Sequence, residues 1–94
     1  MPYMRVTRST FDPATSADDL TGLGQALTAA FQQLPGIQHI HGGIDREGGR
    51  GITVLIFDTQ EHAQFAPEAL GAVNARVQSL GLQIESREVY EVTV

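Results

Sequence analysis

The chain has no cysteine, no lysine and no tryptophan. Without cysteine there can be no disulfide frame, no thiolate nucleophile and no zinc–thiolate site. Without lysine, all six positive charges are arginines, and eleven acidic residues outweigh them to give a formal charge of -5. A nucleic-acid partner requires a basic face that replaces released counterions, so this balance argues against that class. It disfavours an anionic membrane surface for the same reason. No apolar run approaches the roughly 18 residues of a membrane span, and the start is not basic-then-apolar. Neither a span nor a signal peptide is expected, and a cytoplasmic location follows as the default.

What is present is the composition of a globular protein: 41% apolar and 18% charged residues in 94 positions. That length accommodates one domain, spanning residues 1–94, with a single core. So short a chain buries a modest fraction of its surface, and a partner subunit would add much to its stability.

Alternation along "YMRVTRST" (3–10) predicts a first strand, with Tyr3, Arg5 and Thr7 on one face and Met4, Val6 and Arg8 on the other. A loop marked by Pro13 follows. Ser16, three residues ahead of Asp19, then forms a capping-box start to a helix. Leu20, Leu23, Leu27, Ala30, Phe31 and Leu34 make its apolar stripe, and Pro35–Gly36 ends it. "IQHIHGGID" and "RGITVLIFDT" read as two strands joined by the turn "REGG".

Asp58 or Thr59 is placed to cap a second helix, interrupted at Pro67, with a longer helix starting there and ending at Gly81. "LQIESREVYEVTV" is a last, long strand. The order β-α-β-β-α-β is the ferredoxin-like arrangement of an α+β protein with an antiparallel sheet.

The third strand is apolar on both faces, Ile52, Val54 and Ile56 on one and Leu55 and Phe57 on the other. One layer of helices covers only one face of a sheet. Something else must cover the second.

Candidate chemistry is sparse. His39 and His41 lie two apart on a strand and share a face, as pocket lining or as a general acid and base. A metal would need further ligands that no spacing supplies, so no metal site is expected. His62 sits at a helix start, where a pocket mouth can form. The glycines of "GGIDREGGRG" lie between strands and lack both phosphate-loop spacings, so they read as a turn. No Ser–His–acid order or nucleophile elbow is present.

The start "YMRVTRS", the segment "LPGIQHIHGGIDREGGRGITVLIFDTQEHA" and the end "REVYEVTV" resemble the antibiotic biosynthesis monooxygenase-like group of dimeric α+β barrels. The resemblance runs over essentially the whole chain and implies a homodimer in which two sheets pack together. It also implies oxygen chemistry on aromatic phenols without a cofactor. Haem-degrading relatives use an Asn, a Trp and a His. Here Phe57 stands at the Trp position, Thr7 on the first strand, the lone Asn74 in the second crossover, and only His62 lies near that helix, so haem chemistry is not expected.

The expectation is therefore a pocket between sheet and helices for a small hydrophobic or aromatic molecule. His39 and His41 would handle protons, Phe57 and Phe65 would form a wall, Tyr3 or Arg5 would orient a polar substituent, and His62 would stand at the mouth. Two registers are open. A turn at Gly48–Gly49 puts Phe57 on the face of Ile40; a loop one residue longer or shorter puts it with His39 and His41, and this second arrangement is preferred. The alternative to an oxygenase is a non-catalytic ligand-binding or stress-related protein of the same fold.

Overall fold

The computed structural model describes residues 1–94. In chain order it contains β1 (Tyr3–Thr10), α1 (Ala17–Phe31), β2 (Ile37–Asp45), β3 (Arg50–Phe57), α2 (Gln60–Ala63), a 3-10 turn (Pro67–Leu70), α3 (Val73–Ser79) and β4 (Gln83–Glu91). The strands form one antiparallel sheet in the order β2-β3-β1-β4, which is the ferredoxin-like topology.

Local chemistry sets the element ends. Ser16 caps α1, its hydroxyl accepting from the Asp19 amide at 3.1 Å, and Asp18 and Asp19 sit at the positive end of the helix. Gly36, at φ 76°, turns the chain from α1 into β2. Thr59 caps α2 by accepting from the His62 amide at 3.2 Å.

The second crossover differs from the single long helix expected after Pro67. Pro67 opens a 3-10 turn, Gly71 takes a left-handed φ of 64°, and the regular helix begins only at Val73. A residue at that φ cannot continue a right-handed helix, so the break falls there.

The hairpin decides which side chains meet. Asp45 pairs with Arg50, leaving Arg46–Gly49 as a four-residue turn. The Asp45 carboxylate accepts from Arg50 Nη2 at 2.6 Å and from the Gly48 amide at 3.1 Å. This turn is longer by two residues than one at Gly48–Gly49, and a shift of two leaves every side chain on its own face.

Leu55 consequently stands opposite Ile40, and Phe57 opposite Ile37 after an irregularity at Gln38. His39 and His41 stand opposite Ile56 and Val54, on the other face. The preferred arrangement, with both imidazoles beside Phe57, is thus not the one adopted. Phe57 keeps company with Ile40.

On the helix-covered face, Phe31, Leu34, Leu55, Phe57 and Ala63 form the core, with Tyr3, Ile40, Phe65 and Val89 packed against it. Phe57 is 0% exposed, and burying such a ring contributes about 1.5–3 kcal/mol. The other face carries Met4, Val6, Val54 and Ile56, and none of the helices lies on it. Ile52 and Tyr90 on that side are 37% and 44% exposed. The chain's accessible area is 5822 Å², against roughly 5,300 Å² for a compact monomer of this mass. No helix is long and apolar enough to cross a membrane.

Candidate ligand-binding site

The space between helices and sheet is filled at one end and open at the other. Around Phe57 the core is closed. Toward the β2–β3 hairpin the same layer contains a cavity of 690 Å³, of a size that suits a small organic ligand.

Three glycines make that room. Gly24 lies in the apolar stripe of α1, four residues after Leu20 and three before Leu27, where the helical period would place a side chain over the sheet. On the sheet side of the same cavity, Gly42 on β2 and Gly51 on β3 belong to the helix-facing rows of their strands. A Cβ at Gly24 would meet nothing within 4 Å, and one at Gly42 would come no closer than 3.7 Å to the Ile52 carbonyl. Neither residue has a positive φ. Glycine inside an element costs about 0.5–1 kcal/mol relative to alanine, and no local geometry demands it at these two positions. Their effect is to hollow the layer. Gly51 has a local reason as well, since a Cβ there would press on Ser9 Oγ at 2.9 Å.

The walls are apolar, with Leu23, Leu27 and Phe31 from α1 facing Ile40 and Ile44 from β2. A few polar groups interrupt them: the hydroxyls of Ser9, Thr28 and Thr53 and the amides of Gln25 and Gln32. Arg46 stands at the hairpin rim, and His41 meets the wall along the β2 edge. No carboxylate lines the cavity.

The residues singled out from the sequence fall into three places. Tyr3, Arg5, Phe57 and Phe65 cluster at the closed end. Arg5 is only 7% exposed, its Nη1 donating to the carbonyls of Ala63 at 3.2 Å and Phe65 at 2.7 Å. Its guanidinium lies 3.9 Å from the centroid of the Phe65 ring, which in turn packs 5.7 Å from Phe57. No carboxylate pairs with it, and burial, followed by the charge of Arg87, lowers its pKa from the ordinary value. Arg5 thereby ties the carbonyl end of α2 to the sheet.

His39 and His41 are exposed and parallel on β2, ring centroids 6.4 Å apart. Of the two, only His41 touches the cavity. His62 is elsewhere, its Nδ1 2.6 Å from Asp58 Oδ1. Hydrogen bonding from His62 holds the Asp58 carboxyl below its usual range. No group of three or more His, Asp or Glu side chains is placed to hold a metal ion.

Sequence reasoning did not single out Ser9, Gly24, Gly42, Thr53 or Arg46. One signal was visible in Gly24, which interrupts an otherwise regular apolar stripe. The others depend on which strands become neighbours, which a linear pattern does not display.

No protein-family profile and no curated protein sequence matches the chain. Solved structures do. SnoaB, a cofactor-independent oxygenase from Streptomyces nogalater, superposes with a TM-score of 0.72 at 15% identity, over 99% of this chain and 94% of that one. A proposed antibiotic biosynthesis monooxygenase from Bordetella bronchiseptica gives 0.68 at 14% identity, over 99% and 98%. A dimeric ferredoxin-like protein of unknown function from Thermobifida fusca gives 0.66 at 14% identity, over 100% and 92%. The chain has the ferredoxin-like α+β fold of the antibiotic biosynthesis monooxygenase-like structures.

Proposed function

We propose that this chain is a cofactor-independent monooxygenase-like protein that binds a small hydrophobic or aromatic molecule between α1 and the β2–β3 end of the sheet. The observation that carries the reading is the 690 Å³ cavity hollowed by Gly24 and Gly42, two glycines that no backbone conformation or close contact requires. The fold shared with SnoaB supports the class of chemistry. An ionised phenol can itself supply electrons to oxygen, so such chemistry needs a dry, shaped cavity and a proton acceptor more than a strong nucleophile. His41, with His39 stacked beside it, is the imidazole assigned to that proton; its row faces away from the helices, so it would have to reach the cavity around the exposed edge of β2. Tyr3, Arg5, Phe57 and Phe65 support the closed end from behind, and His62 is assigned to the outer margin.

The functional unit is proposed to be a homodimer whose two sheets meet through Met4, Val6, Val54 and Ile56. The helix-free apolar face and the excess accessible area support this.

A second reading, ligand binding without turnover, is favoured by one feature. No carboxylate lines the cavity, and the one histidine at its edge, His41, belongs to the strand row that faces away from the helices, a thin set of groups for acid–base work. Titration with naphthols and anthrones, with oxygen uptake followed in parallel, separates the two. Binding with stoichiometric oxygen consumption supports the oxygenase. Binding without consumption supports the second reading, and no binding to any probe sinks both.

A further inference from the structure

We propose that the ligand of this cavity is a planar aromatic anion, and that Arg46 selects for its charge. This rests on the cavity being the binding site, as argued above. The chain carries eleven acidic side chains, yet none of them lines the cavity, and the one permanently charged group that does is Arg46.

Nor is Arg46 neutralised by its surroundings. The adjacent Asp45 is taken by Arg50, Nη2 to Oδ2 at 2.6 Å, while Arg46 itself forms no ion pair. Glu47 follows it on the turn but is not part of the wall, and Asp18 and Asp19 stay at the capped start of α1.

The rest of the lining fits an anion as well. The hydroxyls of Ser9 and Thr53 and the amide of Gln25 can each donate to a carboxylate or phenolate oxygen. A net charge of -5 disfavours the approach of an anion, so admitting one calls for a local cation, and apolar walls strengthen that cation's field. A flat ring suits the glycines: with no side chain at Gly24 or Gly42, bare backbone borders the cavity on both the helix and the strand side.

The test uses three naphthalenes of one shape and different charge: the 2-carboxylate, the 2-carboxamide and the 2-methylammonium. Their emission can be followed without indole background, since the chain has no tryptophan. The carboxylate is expected to bind about fivefold more tightly than the amide, the upper end for a partly solvated ion pair, and the ammonium most weakly. Added salt should shrink that advantage. Arg46→Gln should abolish it, and Arg46→Lys should retain it.

Equal binding of carboxylate and amide, or an advantage that survives Arg46→Gln, overturns the proposal while leaving the cavity as a binding site. If none of the three binds, the cavity reading fails and this proposal falls with it.

Discussion

Asp58 and His62 form a hydrogen-bonded pair, Oδ1 to Nδ1 at 2.6 Å, directly over the backbone of Gly36. Gly36 has a φ of 76°, and a Cβ there would collide with both the carboxylate and the imidazole. One glycine thus lets the end of the first crossover and the start of the second share the same space. The Asp58 amide also donates to the Gly36 carbonyl at 3.0 Å. The pair therefore holds two parts of the chain together, and its chemistry is readable as stability.

The pH dependence follows from the sign of the shift. The Asp58 pKa is lowered in the folded chain, first by the hydrogen bond with His62, so the folded state favours the ionised carboxyl. A depressed carboxyl contributes stability that is fully present above the unfolded value of about 3.9 and is lost as pH falls through the lower folded value. Urea midpoints measured from neutral pH into acid should therefore fall below that point. Asp58→Asn should make the fall shallower, with Asp45, lowered by Arg50, accounting for part of what remains. An unchanged acid limb in the variant would remove Asp58 from the account.

Two glycine substitutions should move stability in opposite directions. Gly36→Ala meets both a disfavoured φ and a steric clash, and should cost about 2 kcal/mol or more. Gly24→Ala meets open space in a helix interior and should stabilise by up to about 1 kcal/mol. The same change should weaken binding of the naphthalene probes, because the new methyl group enters the cavity. A more stable Gly24→Ala protein with undiminished binding would place the ligand elsewhere.

Adjacent strand residues should also separate folding from assembly. Leu55, 2% exposed, points into the helix-covered core, so Leu55→Asp buries an unpaired charge and should unfold the chain. Ile56 points to the helix-free face. Ile56→Asp should leave circular dichroism intact while converting the proposed dimer to a monomer in light scattering. A dimer that survives Ile56→Asp would show that this face is not the interface.

Much of the architecture was legible in the linear pattern because each element follows from a short-range rule. Alternation places Tyr3–Thr10 in a strand, and the spacing of Leu20, Leu23, Leu27 and Phe31 makes α1 amphipathic. Ser16 announces α1 through the hydrogen bond its side chain offers, and of the two cap candidates for α2, Asp58 and Thr59, it is Thr59 that makes the bond. The two-sided apolarity of β3 pointed correctly to Leu55 and Phe57 on one face and Ile56 on the other.

The candidate site was legible only in part, for reasons of range. Whether Phe57 meets His39 or Ile40 depends on a loop length between two strands, and its parity is set by Asp45 closing on Arg50 and by the packing of Gly49 against Phe11. The cavity depends on a helical glycine, Gly24, and a strand glycine, Gly42, contributed by separate elements. Hydrophobic period and capping act over a few residues, so the sequence alone determined the elements and their order. Which voids remain between layers, and which charge stands at their rim, depends on contacts between distant segments. Those were decided only by the tertiary structure.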